Sequence, residues 1–352
     1  MKTVRTSPHI HGPLRTDKAM LFVIAALLPS CLWGIWAFGL RALLVLLVSV
    51  ASALLVEYLL GLVSKEFTLK DYSAAVTGLL VGMNMPPEIP LYVPVIASAF
   101  AIAVVKWTFG GLGCNWMNPA LAGRVFVFFS FTSQMSSFTL PRWMALDAVS
   151  SATPLSAMKT AVTGGAVGRS TELLSSSLPT TQFADSVASA LGISPYAVDA
   201  FFGNVGGCIG EVSALLLLVG GIFLIATKII TWRIPVIYIG SFAILSWIFG
   251  GIPYGLGAFH GEILLPVFSG GLMLGAFFMA TDWVTTPTTP KGEMIFALGC
   301  GFFTFLIRYF GSLPEGVSLA IIMMNIITPT IDRFVRVKPF GYVKKPKKEV
   351  KA

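Results

Sequence analysis

Long apolar runs broken by short polar turns fill the first 133 residues and the stretch from 211 to 332. The run 19–38 holds twenty residues without a charge. A helix of that length crosses a hydrocarbon layer of about 30 Å. A second run, 42–63, is interrupted only by Glu57. Lys65, Glu66, Lys70 and Asp71 then mark a polar turn. Asp71 or Ser73 is placed to cap the short helix predicted over 74–83, which ends in Asn84-Met85-Pro86-Pro87. The pattern continues with runs over 91–105 and 118–131, then 212–226, 235–249, 264–279, 294–307 and 317–331. It predicts an all-α integral membrane protein of about ten spans. An even number returns both ends of the chain to one side.

Two stretches among these runs cannot form ordinary spans. Residues 110–124, Gly-Gly-Leu-Gly-Cys-Asn-Trp-Met-Asn-Pro-Ala-Leu-Ala-Gly-Arg, carry glycines, Asn115, Asn118 and Pro119. Residues 281–293 carry Asp282, Thr285, Thr286, Pro287, Thr289 and Pro290. Irregular backbone at membrane depth survives where it is buried in protein or lines a cavity. Paired interruptions point to a central site where two repeats meet. With five spans in each half, repeats of this kind have opposite, inverted topology. Carbonyls freed at such breaks, together with Asn115, Asn118, Thr285, Thr286 and Thr289, can serve a flavin or an ion, and the same residues can equally cap helix ends.

Composition agrees with lipid as the main solvent. The chain of 352 residues is 55% hydrophobic and 11% charged, against roughly 25% charged in soluble domains. The net charge of +8 sits at the ends. Lys2, Arg5, Arg15 and Lys18 precede the first run, and a tail from Arg333 to Lys351 follows the last. Excess Lys and Arg flank cytoplasmic ends, so both termini are expected in the cytoplasm and the charge is not read as a nucleic-acid surface. The lysine tail is also expected to meet acidic lipid headgroups. No cleavable leader is expected, because the first run is too long for one. The chain divides into a cytoplasmic segment 1–18, a first transmembrane half 19–133, an extracytoplasmic polar region 134–210, a second half 211–332 and a basic tail 333–352. Short surface helices such as 185–191 are expected in the polar region.

Few residues offer chemistry. Cys31, Cys114, Cys208 and Cys300 are scattered, with no compact pair for a cluster, and are expected to be buried small hydrophobes. His9 and His11 lack a third ligand and fit a capping or contact role. Carboxylates inside spans default to function. Asp282 and Glu57 are therefore the ion-coupling candidates. Glu293 and Asp332 are expected at the interface, paired with Lys291 and Arg333.

The polar region holds Asp147-Ala148-Val149-Ser150-Ser151-Ala152-Thr153-Pro154. Pro154 disfavours helix at Thr153 and presents it extended. Small neighbours leave the hydroxyl open to esterification, although an ordinary Ser-rich loop can produce the same string. This segment resembles the flavinylation motif of the RnfD/NqrB family, with Ser151 where the usual spelling has Gly. Ser7-Pro8-His9-Ile10-His11, the 110–120 segment, Ala280 to Gly292, Leu313 to Ser318, and Met324-Asn325 through Thr328-Pro329 with Asp332 are similar to further family segments in order. The short amino terminus is closer to the RnfD branch.

The resemblance implies FMN joined to Thr153 by a phosphoester, installed by a flavin transferase from FAD, with Asp147, Ser150, Ser151 and Ala152 forming the recognised loop. It implies membership of a six-subunit Rnf complex in a bacterial or archaeal cytoplasmic membrane, with the A, B, C, E and G subunits as partners. Such a complex moves electrons between ferredoxin and NAD and couples this to Na+ or H+ transport. A second, noncovalent flavin, riboflavin, occurs in the wider family. Two other readings stay open: a subunit passing electrons to quinone, and an inverted-repeat transporter without a cofactor.

Overall fold

A computed structural model describes residues 15–65, 67–144 and 152–336. His9, His11, Asp147, Ser150, Ser151 and most of the basic tail lie outside the described residues. No β-strand element occurs among the described residues. Four helices among the described residues are long and apolar enough to cross a membrane: α1 (Thr16–Phe38), α2 (Leu40–Ser64), α15 (Pro290–Phe310) and α16 (Val317–Phe334). Shorter apolar helices fill the positions between them. These are α3 (Ser73–Met83), α4 (Tyr92–Phe100) with a π-helical continuation Ala101–Trp107, α5 (Pro119–Ser130), α11 (Ala214–Ala226) and α12 (Arg233–Phe249). The run 264–279 breaks into α13 (Leu264–Phe268), α14 (Leu272–Leu274) and a π turn Gly275–Met279. Gly270 and Gly271 take φ of 66° and 69° between α13 and α14, a left-handed conformation that glycine adopts without steric cost.

α12 lies along α15, α2 along α3, and α15 along α16. Small residues let the backbones approach, as expected where lipid gives no hydrophobic drive between helices. A Cβ on Gly123 of α5 would stand 2.5 Å from the Ala97 carbonyl oxygen of α4. One on Gly220 of α11 would stand 2.4 Å from the Ala26 carbonyl oxygen of α1. Large apolar side chains remain exposed around the bundle, among them Leu32, Leu47, Val63, Phe129 and Ile244. A soluble monomer rarely presents so many, so this face requires lipid or protein partners.

The two interruptions end the same way. Asn118 precedes Pro119 and accepts from the Ala120 and Leu121 amides at 3.0 and 3.3 Å. Thr289 precedes Pro290 and accepts from the Gly292 amide at 3.0 Å. In each, a polar cap satisfies free helix-start amides and proline fills the first helical position. Each interruption also follows a π-helical stretch. They meet at one end of the bundle, where the Asn118 amide donates to the Met279 carbonyl at 3.2 Å. Their shared side means that an inverted relation between halves does not map one onto the other.

The polar region is more ordered than a loop with scattered surface helices. After α6 (Thr132–Met135), its described part folds into α7 (Pro154–Thr163), α8 (Ser170–Leu174), α9 (Gln182–Leu191) and α10 (Pro195–Phe202). Leu173, Leu174, Leu178 and Tyr196 pack with Leu265 as a small core of their own. Thr153 and Thr181 cap two of these helices, and Asp199 accepts from the Thr181 amide and hydroxyl at 3.0 and 2.6 Å. The low hydrophobicity of this stretch hid a core built from few large residues.

Candidate functional site

One cavity of about 370 Å³ opens where the interruptions meet. That volume lies at the lower end of the range for small-molecule sites, about 300–1,000 Å³. Val76, Leu80, Phe277 and Phe278 give it apolar walls. Ser73, Thr77, Lys106, Asn115, Asn118 and Asp282 supply its polar groups. The arrangement suits a mostly apolar ligand with a few hydrogen-bonding groups.

Lys106 is fixed here by burial and by partners. Its ammonium donates to both Glu57 carboxylate oxygens, at 2.6 and 2.7 Å, and to the Ser73 hydroxyl at 2.6 Å. Glu57 also accepts from Thr68. Both members of the pair are almost wholly enclosed, with side chains 3% and 0% exposed. Glu57 is thus neutralised behind the cavity wall, whereas Asp282 stands on the wall itself. The Asp282 carboxylate accepts from the Thr285 hydroxyl at 3.3 Å, and the Thr286 hydroxyl donates to the Asp282 carbonyl at 2.9 Å. Thr285 and Thr286 therefore brace the turn around Asp282 and do not line the cavity. Asn115 and Asn118 do line it, and Asn118 is a cap as well.

Several sequence expectations change. Glu293 pairs with Arg233 at 3.0 Å rather than with Lys291. Asp332 accepts from the Thr288 amide at 3.1 Å rather than pairing with Arg333. Both carboxylates find partners brought close by the packing of distant segments instead of sequence neighbours. Cys31, Cys208 and Cys300 are buried, but Cys114 is exposed in the glycine-rich interruption.

A second polar centre lies toward the other end of α3. There the Gly210 amide donates to the Met83 carbonyl at 2.8 Å, whereas the cavity begins at Ser73. Arg124 of α5 binds Glu315 and donates to the Ser318 hydroxyl at 2.7 Å, and its Nη1 stands 3.5 Å from Glu211 Oε1. All three charged side chains are at most 13% exposed. Arg308 of α15 reaches the carbonyls of Pro266, Ser269 and Gly270 at 2.6, 3.1 and 2.6 Å. Sequence reasoning missed this centre. Arg124 inside an apolar helix was the available signal, because a buried guanidinium requires carboxylate partners.

Thr153 borders the same centre. It shares a small cleft with Glu211, Ser269, Gly270 and Glu315. Its backbone is extended, with φ −67° and ψ 154°, as Pro154 dictates. Its Oγ1 accepts from the Ser156 amide at 3.2 Å and lies 3.0 Å from the Ser156 hydroxyl, capping α7. The residue is only 5% exposed, in contrast to the open hydroxyl that the sequence predicts. On the next turns of α7, Lys159 donates to the carbonyls of Leu313 and Arg308 at 2.8 and 3.2 Å, and burial pushes its ammonium pKa down.

Interrupted helices around an apolar-walled cavity, joined to a capped threonine in a polar unit, define an all-helical membrane protein with a cavity between its helices. The family profile described as NQR2, RnfD, RnfE matches residues 3–341, and the chain belongs to that family. Its relatives include D subunits of ion-translocating oxidoreductase complexes. It is 42% identical to that of the Na(+)-translocating ferredoxin:NAD(+) oxidoreductase complex of Acetobacterium woodii, over 99% of this chain and 98% of that protein. It is 40% identical to that of the proton-translocating ferredoxin:NAD(+) oxidoreductase complex of Clostridium ljungdahlii, over 96% of each. Identity to that of the ion-translocating oxidoreductase complex of Escherichia fergusonii is 34%, over 97% of this chain and 99% of that protein. The first two relatives are named for different ions at nearly equal identity, so overall similarity does not set the ion.

Proposed function

We propose that the chain is the membrane-embedded, flavin-bearing subunit of an ion-translocating ferredoxin:NAD oxidoreductase complex. In this reading FMN is esterified to Thr153, and the apolar helices make ten crossings with both termini in the cytoplasm. The observation that carries it is the position of Thr153 at the start of α7, with the Ser156 amide and hydroxyl beside its Oγ1. A phosphoester there lies at a helix amino end, where the helix dipole favours an anion. The enclosed side chain requires the segment bearing Thr153 to swing clear of Glu211 and Ser269 while a flavin transferase acts. The attached flavin supplies one-electron chemistry, and the protein supplies tether, orientation and electrostatic field.

The cavity between the interruptions is assigned to a second, noncovalent flavin such as riboflavin. Its volume, its Phe277 and Phe278 walls and the Asn115 and Asn118 side chains on its lining support that assignment. Asp282 is the carboxylate assigned to ion coupling, because it faces the cavity while Glu57 is already paired with Lys106. The other subunits of the complex supply the remaining carriers.

In-gel fluorescence tests the central part. Coexpressed with a flavin transferase and then denatured, the chain should give a fluorescent band. Thr153→Ala should remove the band, and Thr153→Ser should keep it. A fluorescent alanine variant would place the attachment elsewhere.

A further inference from the structure

Glu211 is buried, 6% exposed, and its Oε1 makes no hydrogen bond. That oxygen belongs to the carboxylate bordering the cleft shared with Thr153, and the Ser269 hydroxyl on the same cleft also lacks a partner. The groups around Glu211 come from each packed element. Arg124 of α5 stands 3.5 Å away, Glu315 binds the other terminal nitrogen of Arg124, Cys208 lies within the same cluster, and Arg308 of α15 is engaged by backbone carbonyls. Lys159 of α7 is likewise turned to the Leu313 and Arg308 carbonyls.

With all five charged groups ionised, Arg124, Arg308 and Lys159 outweigh Glu211 and Glu315 by one positive charge. A phosphodiester on Thr153 adds one negative charge, and an electron on the attached flavin adds another. Desolvation makes an excess buried anion costly, and a carboxylate relieves it by binding a proton. Glu315 keeps the close bond to Arg124, which leaves Glu211 as the acceptor.

We propose that Glu211 is a proton-binding site whose occupancy follows the charge of the flavin on Thr153. The proposal rests on the reading that Thr153 carries that flavin. The step is balanced: a reduced one-electron carrier of the complex is oxidised, the flavin gains the electron, and one proton from the outer aqueous phase converts the Glu211 carboxylate to the acid. No other bond forms or breaks, and the proton leaves when the electron does.

The test is a spectroelectrochemical titration of the covalent flavin in the purified complex over a series of pH values. In the wild type the midpoint potential should fall as pH rises, by up to about 59 mV per tenfold change in proton concentration for one proton per electron. Glu211→Gln should flatten that dependence and hold the potential at the wild-type acid limit. Glu315→Gln frees Arg124 for Glu211 and should move the pH-dependent range to lower pH. A Glu211→Gln complex that keeps its flavin and the wild-type slope would overturn the proposal. An infrared measurement covers a variant that fails to assemble: flavinylated wild type should show a buried carboxylic-acid C=O band on reduction, absent in Thr153→Ala, and a wild type without it also overturns the proposal. A wild-type chain with no covalent flavin sinks the Thr153 reading itself, and the proton site with it.

Discussion

Replacing Lys106 by methionine removes the ammonium that holds Glu57 and Ser73 with three contacts of 2.6 to 2.7 Å. The carboxylate is then left in an enclosed site with Thr68 as its remaining hydrogen-bond partner. Breaking a buried ion pair from one side costs about 3–5 kcal/mol, because the orphaned charge is not solvated. Glu57→Gln should cost a similar amount by leaving the ammonium without its counter-charge. Replacing both together, with Glu57→Leu and Lys106→Met, removes both desolvation penalties. Apolar replacement of a whole buried pair is often neutral or stabilising by about 1–4 kcal/mol. The double variant should therefore be more stable than either single one. Unfolding in lipid nanodiscs, followed by tryptophan fluorescence against denaturant, closes the double-mutant cycle. A double variant whose loss equals the sum of the two single losses would refute the claim that the two charges interact in a dry site.

Two further outcomes follow from the packing around the cavity. Gly123→Val should force α4 and α5 apart, because even a Cβ meets the Ala97 carbonyl oxygen at 2.5 Å; a loss of about 1–3 kcal/mol in the same unfolding assay is expected for such overpacking. Asn118→Ala removes both the α5 cap and the bond to the Met279 carbonyl. It should lower stability by about 1 kcal/mol from the cap alone and loosen the cavity, read as weaker retention during purification of the noncovalent flavin proposed to occupy it.

The positions of the apolar helices were legible because lipid-facing segments must be long and nearly free of charge. The predicted run 19–38 lies within α1, and the predicted start at 118 falls at the cap of α5. Both breaks were legible too, since Gly, Asn, Thr and Pro at those positions leave helical bonding unsatisfied. The partners of buried charges were not. Arg124 meets residues that lie 87 and 191 positions further along the chain, and no local pattern encodes so distant a contact. The core of α7 to α10 escaped notice because scattered Leu and Tyr residues carry no helical stripe long enough to read. The extended backbone at Thr153 followed from Pro154, but its enclosure depends on Glu211 and Ser269, which tertiary packing delivers.

Peptide mass spectrometry of the chain taken from its native complex addresses the attachment directly. The fragment containing Thr153 should be heavier by one FMN less one water, with the modification on that threonine. A complex that transfers electrons and moves ions while every copy of that fragment has its unmodified mass would contradict the account.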